Sequence, residues 1–238
     1  MSAILHARLW SGPPTSATST VVLLHGIVSS RYLVPTARQL AGSCTVVAPD
    51  MPGFGRTPGR TPLAISETAD VVATWMAASG LEGSTVVGHS VGAQTAADLA
   101  ARHPGTVGAL VLVGPTVDRQ ARSVPSLVRR WTANARDEPL SFNALAAYEL
   151  AEIGPARMLG SLRHAVDDVI EDKLPAVACP VLLVRGERDR IAPQEWLDEL
   201  QRRRSDAGVS VLSQAAHTVV YTRPVELAQV VLDFAGRG

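Results

Sequence analysis

The serine in Gly88-His89-Ser90-Val91-Gly92 is the residue whose surroundings best suit it to covalent chemistry. A serine hydroxyl is a poor nucleophile at neutral pH. It needs a base within hydrogen-bonding reach, normally a histidine held in one tautomer by a carboxylate. The glycine-flanked string is a weak signal alone, but here it joins a β-branched run, residues 84–87, to a helix-forming stretch, residues 93–102. At a strand-to-helix junction the serine is expected in a strained backbone conformation with its hydroxyl projecting from the sheet end, and Gly88 and Gly92 remove side chains that would collide around it. The N-terminus of the following helix aims its N–H groups and dipole at the same point.

Two partners stand at similar junctions further along. Asp189 lies in Arg185-Gly186-Glu187-Arg188-Asp189-Arg190-Ile191, directly after the apolar run 181–184, and His217 follows the run 209–212 through Ser213-Gln214-Ala215-Ala216. Asp118, after the run 109–113, is the one competitor for the acid, and Asp189 is preferred on chain order and loop context. Acyl transfer also needs two donors for a developing oxyanion. Val91 N–H supplies the first. The second is assigned to Ile27 N–H, with Val28 next, in His25-Gly26-Ile27-Val28, where Gly26 permits a close approach.

These residues must be positioned by a sheet. Short apolar runs at 21–24, 45–48, 85–87, 109–113, 181–184 and 209–212 alternate with longer helix-like segments, the pattern of parallel strands covered on both faces. A further strand over residues 4–10 is expected at the sheet edge, followed by a loop beginning Gly12-Pro13-Pro14. About sixty-five residues separate the runs ending at Val113 and starting after Pro180, far more than one crossover needs. Helical spacing over 126–135, 140–153 and 155–168, broken at Pro125, Pro139, Gly154 and Pro155, predicts a small helical subdomain there. The expected division is a core of residues 1–117 and 179–238 with a helical cap of 118–178.

Leu23-Leu24-His25-Gly26, Val47-Ala48-Pro49-Asp50-Met51-Pro52-Gly53-Phe54-Gly55, the string around Ser90 and the segment around Asp189 follow one another in family order. From about residue 20 to the C-terminus the chain resembles the α/β-hydrolase superfamily, in its cap-bearing serine esterase and lactonase-like branch. The resemblance implies an α/β fold: a mostly parallel sheet of seven to eight strands, flanking helices, and a helical cap inserted after strand 6. It implies a triad of Ser90, Asp189 and His217 in that chain order, with oxyanion donors at Ile27 and Val91, acting on a small carboxylic ester. A lactone, a thioester or a carbon–carbon bond of a β-diketone is open to the same triad. A non-catalytic receptor on the same fold is a further alternative, which the intact triad disfavours. Two departures stand out: a single strand at 4–10 where the family usually has a hairpin, and Ala93 where a second glycine often follows the elbow. A serine rather than an aspartate at position 90 excludes the alkyl-transfer chemistry of the superfamily's haloalkane dehalogenases and epoxide hydrolases.

Composition bounds the partners. The 238 residues are 46% hydrophobic and 18% charged, enough for a well-buried core, with Lys+Arg and Asp+Glu both at 22. A formal charge of zero offers no field to gather nucleic acid or an anionic membrane, so a small, neutral or modestly charged substrate is expected, with the chain as monomer or homodimer. The first ten residues carry no leader pattern and no window approaches a membrane span, so a cytoplasmic location is expected. Cys44 and Cys179 read as reduced packing residues. No cofactor is expected: Gly53-Phe54-Gly55 has Pro58 at the third glycine position of a dinucleotide loop. No metal is expected either, because no set of ligands has the required spacing.

The remaining histidines have structural readings: His25 as a hydrogen-bonded strut of its loop, His89 as elbow support, and His6, His103 and His164 as isolated surface or packing residues. Arg119, Arg122, Arg129, Arg130 and Arg136 either attract a carboxylate-bearing substrate or, as is commoner, form a solvated helix face. Trp131, Phe142, Tyr148 and Met158 either line the acyl pocket or only hold the inserted helices to the core. With His217 as base, activity is expected to rise with pH through a pKa of about 6 to 7 and then level.

Overall fold

A computed structural model describes residues 4–12, 19–59 and 61–236. Pro13 and Pro14 of the expected N-terminal loop, and the first residues of the expected leader-free segment, lie outside them. In chain order the strands are β1 (Ala7–Trp10), β2 (Thr20–Leu24), β3 (Thr45–Pro49), β4 (Ser84–His89), β5 (Val107–Val113), β6 (Val181–Gly186) and β7 (Gly208–Leu212). The helices are α1 (Val34–Leu40), α2 (Ile65–Ala78), α3 (Val91–Arg102), α4 (Val124–Asn134), α5 (Leu140–Ile153), α6 (Pro155–Asp167), α7 (Ile170–Lys173), α8 (Gln194–Arg203), α9 (Val219–Thr222) and α10 (Pro224–Ala235). The strands form one sheet in the order β1-β3-β2-β4-β5-β6-β7, with β1 antiparallel at one edge and every other pair parallel.

The apolar runs are continuous because successive side chains alternate between two buried faces. Val22, Leu24, Val86, Leu110, Leu112 and Leu183 pack with α2, α3 and α8, whereas Val21, Leu23, Val87, Val111, Val113 and Val184 pack with α1 and α10. β7 departs from this pattern. It is the last strand of the sheet, and Val209 and Val211 are 37% and 44% exposed although their run reads like the others.

Three expectations are corrected. β1 begins at Ala7 rather than at residue 4, although among the described residues it is, as expected, a single edge strand without a hairpin partner in a sheet of seven strands. As a result, the inserted helices α4, α5 and α6 follow the fifth strand, not the sixth. Pro125 does not break α4 but sits in its first turn, where a missing N–H costs nothing and Ser123 caps the helix by accepting from Ser126 N–H. At the other end of the insertion, Ile170, Leu174 and Val177 are buried in the cluster shared by α2, α3 and α8, so the chain has rejoined the core by α7. No helix among the described residues is long and apolar enough to cross a membrane.

Candidate active site

The turns that follow β2, β4, β5, β6 and β7 meet at the carboxyl edge of the sheet, where side chains can converge from several strands. Ser90 joins β4 to α3 with φ 58° and ψ −121°, a left-handed conformation that costs an L-residue about 1–3 kcal/mol. Its own N–H donates to Val113 O at 2.9 Å. The close packing explains the flanking glycines: a Cβ on Gly88 would lie 2.4 Å from Gly92 O, and one on Gly92 2.4 Å from Leu24 O. Val91 opens α3, so its N–H has no acceptor within the helix.

Asp189 is presented by a turn that uses up one of its oxygens. Oδ1 accepts the N–H groups of Ile191 and Ala192 at 2.8 and 2.9 Å, which leaves Oδ2 to accept from His217 Nδ1 at 2.9 Å. The buried Arg185 guanidinium stiffens the same turn by donating to the carbonyls of Glu187, Asp189 and Ala192. Burial disfavours charge on both members of the pair, but their mutual attraction and these hydrogen bonds win. The Asp189 carboxyl is held below the usual carboxylate range and the His217 imidazole above its ordinary value, with Glu138 adding to the pull on His217. His217 Nε2 is buried and has no hydrogen-bond partner among the described residues.

Asp118 does not approach this pair. One of its oxygens accepts from Gln120 N–H at 2.9 Å and the other meets Arg130 Nη1 at 2.5 Å.

The loop after β2 is held from both sides. His25 donates from Nδ1 to Gly26 O and accepts Met51 N–H at Nε2, each at 2.8 Å, and burial lowers its pKa, so it is a neutral strut. Gly26 N–H donates to the Tyr32 hydroxyl at 2.7 Å, and Tyr32 O–H in turn donates to His89 Nδ1 at 2.8 Å. The tautomer of His89 follows from its other partner: the carbonyl of His217, 3.1 Å from Nε2, can only accept. Burial, and then the neighbouring His217 charge, push the pKa of His89 down to about 3, which keeps it neutral. A directional chain therefore runs from the His25–Ile27 loop through Tyr32 and His89 to the backbone of His217.

Ser90, Val91, Ile27, His89 and His217 line one cavity, roofed by Leu127, Trp131, Phe142, Ala146 and Leu162 from the inserted helices. Among the described residues no Asp, Glu, Lys or Arg lines it, and His217 is its one wall group drawn toward the charged form. Ile27 and Val91 also border a second, smaller cavity between the Met51–Phe54 loop, α2 and α6, so both candidate oxyanion donors stand where the two cavities adjoin. The arginines expected near the early insertion do not reach the cavity: Arg122 pairs with Glu171, Arg130 with Asp118 and Arg119 with Glu199. Of the four aromatic and Met candidates, Trp131 and Phe142 line the cavity. Tyr148 is 55% exposed, under the Arg31 guanidinium, and Met158 packs against the Val117–Leu127–Ile191 cluster. His6 and His103 are not isolated; they bond to Asp50 and Asp70.

Sequence reasoning missed Tyr32, Gly114, Arg185, Glu138 and Glu149. Gly114 has φ +52°, and a Cβ there would lie 2.9 Å from the His217 ring. Glu149 did carry a signal, being a charge on the otherwise apolar stripe Phe142-Ala146-Glu149 of α5. Among the described residues no group of three or more His, Cys, Asp or Glu is placed to hold a metal ion.

A sheet of this topology with a strained serine at the β4–α3 junction defines an α/β-hydrolase. The model of the alpha/beta hydrolase family matches residues 21–230, and the chain belongs to that family and is a hydrolase. It is 27% identical to a pimeloyl-(acyl-carrier protein) methyl ester esterase of Neisseria meningitidis serogroup B, over 93% of this chain and 95% of the relative. It is 26% identical to the enzyme of that name from Aromatoleum aromaticum, over 90% and 96% respectively. Among solved structures, a thermophilic esterase from Thermogutta terrifontis superposes with a TM-score of 0.76 at 20% identity, covering 98% of this chain and 93% of its own.

Proposed function

We propose that the protein is a serine hydrolase of small, uncharged carboxylic esters, with the inserted helices α4, α5 and α6 acting as a cap over the site. Ser90 Oγ attacks the carbonyl carbon while His217 Nε2 takes its proton. The N–H groups of Ile27 and Val91 hold the oxyanion, and Asp189 stabilises the imidazolium. His217 then returns the proton to the leaving oxygen as the C–O bond breaks, leaving an acyl group on Ser90. Water, deprotonated by the same nitrogen, attacks that acyl group, and His217 gives the proton back to Ser90 Oγ as the acyl C–O bond breaks, which releases the acid and restores Ser90.

The observation that carries this reading is the state of His217. Its Nδ1 is committed to an ionised Asp189, while its Nε2 is buried, without a partner, in the residue that shares a cavity wall with Ser90. The substrate class follows from the lining: a largely apolar cavity with no Lys or Arg in its walls offers a carboxylate no dedicated partner, and apolar space on two sides of the candidate oxyanion donors suits an ester with two short limbs. Similarity along nearly the whole chain to methyl ester esterases supports an ester over a lactone, a thioester or a β-diketone.

Labelling with a fluorophosphonate, read by peptide mass spectrometry, tests the nucleophile. Stoichiometric modification at Ser90 in wild type and none in Ser90→Ala is expected. Absence of labelling in folded wild-type protein overturns the assignment of Ser90 as an activated nucleophile. Product analysis on neutral ester, lactone, thioester and β-diketone substrates then tests the bond.

A further inference from the structure

We propose that Glu138 and Glu149, at the two ends of α5, are positioning residues that brace the base loop and the oxyanion loop at a fixed separation across the cavity. The proposal rests on the roles given above to His217 and Ile27. Each carboxylate grips the residue next to one of those loops in the same way. Glu138, immediately before the N-cap Pro139, accepts Thr218 N–H at 2.9 Å on Oε1 and the Thr218 hydroxyl on Oε2. Glu149 accepts Ser29 N–H at 2.9 Å on Oε2 and the Ser29 hydroxyl at 2.6 Å on Oε1. Thr218 follows His217 directly, and Ser29 is two residues from Ile27.

Packing alone gives no reason for these groups. Both carboxylates are buried, Glu138 at 7% and Glu149 at 1% exposure, and a buried carboxylate is expensive unless each oxygen is met by a donor. Here the donors are supplied by the two core loops, with Asn134 Nδ2 adding a third bond to Glu138 at 2.9 Å. Leucine at position 149 would continue the Phe142-Ala146 stripe with no such requirement. Since α5 is a 14-residue helix, the two grips are joined by a stiff rod, and the rod also carries Phe142 and Ala146 of the cavity roof. On the core side the same two loops are already joined through Tyr32 and His89. The helix closes the second side of that frame.

The charged and titratable groups facing these residues are few. Asp189 meets Nδ1 of His217, neutral His89 lies beside the His217 ring at 4.8 Å, and Glu138 stands behind Thr218. Glu149 faces Arg31 Nε at 3.8 Å and feels Asp50, while burial pushes its carboxyl up. Removing the charge of Glu138 therefore lowers the pKa of His217, and removing that of Glu149 leaves it in place.

The test is steady-state hydrolysis of 4-nitrophenyl butyrate across pH 5 to 9 by the full chain as wild type, Glu138→Gln, Glu149→Gln and the double variant. Glutamine offers one acceptor where two donors wait, so each grip is half lost. Each single variant is expected to lose roughly 10- to 100-fold in kcat with KM changed less than about 3-fold. The acid limb of kcat/KM moves to lower pH in Glu138→Gln only. The double variant loses less than the product of the two single losses, because either break frees the same rod. Ser29→Ala and Thr218→Val, which remove one hydroxyl bond and keep the carboxylate, shift kcat in the same direction by a smaller factor and serve if a glutamine variant does not fold. A fall in melting temperature with kcat and pH limb unchanged overturns the brace, as does an exact product of the single losses with an unmoved limb. Since wild-type turnover is the reference, either of these results leaves the role of Ser90 standing.

Discussion

Asp118 and Asp189 sit beyond the carboxyl ends of neighbouring parallel strands, β5 and β6, at 5% and 3% exposure. Both accept a backbone N–H two residues on, from Gln120 and from Ile191, as a short acid in a tight turn does. They part company at the remaining oxygen. That of Asp118 meets Arg130, a cation that never releases its proton, whereas that of Asp189 meets His217, an imidazole that can take up and give back a proton. Burial and turn geometry thus make a carboxylate rigid, and the partner decides whether it is held by a fixed cation or by an imidazole. Arg130 also donates to Ile191 O, so the pair at Asp118 anchors α4 against the turn that presents Asp189.

The contrast breaks most directly at Asp189. Asp189→Asn keeps the shape but removes the charge, and kcat is expected to fall by about 10³- to 10⁴-fold with the circular dichroism spectrum unchanged. A loss under about tenfold would make the two aspartates equivalent after all. The next effect is on pH. A base works only when neutral, and Asp189 with Glu138 favours the protonated form of His217, so kcat/KM is expected to rise with pH through a midpoint above about 6.5, losing tenfold per unit below it. A flat profile from pH 5 to 9 with chemistry rate-limiting removes His217 from the reaction. Asp118→Asn is expected to leave kcat/KM within about threefold while costing about 1–3 kcal/mol in denaturant unfolding, since Arg130 loses its counter-charge. Smallest of all, Arg129→Ala and Arg136→Ala, at exposed positions of the same insertion, should leave KM for a neutral ester unchanged and stability within about 0.5 kcal/mol. A raised KM in either would return the arginines to substrate capture.

Legibility followed distance along the chain. The Gly88–Gly92 elbow, the turn around Asp189 and the segment that carries His217 were readable because each is set by a few adjacent residues that suit a bend after a strand. The sheet was readable for a related reason: strands covered on two faces must be apolar throughout. The same rule misled at 209–212, because nothing in Val209-Ser210-Val211-Leu212 says that β7 is the last strand. It misled also at Pro125, which reads as a breaker and proves to be a helix start. Tyr32, Glu138 and Glu149 escaped because their partners lie 57, 80 and 120 residues away.

What the sequence by itself determined is the order of junctions and the serine at the β4–α3 turn, since strand, turn and helix preferences act within a few residues. The tertiary structure alone decided which of four large side chains face the cavity and which glutamates the inserted helices turn inward. Those choices depend on how elements dock, and docking is settled by packing and by pairing buried polar groups across the whole chain, which no local stretch encodes.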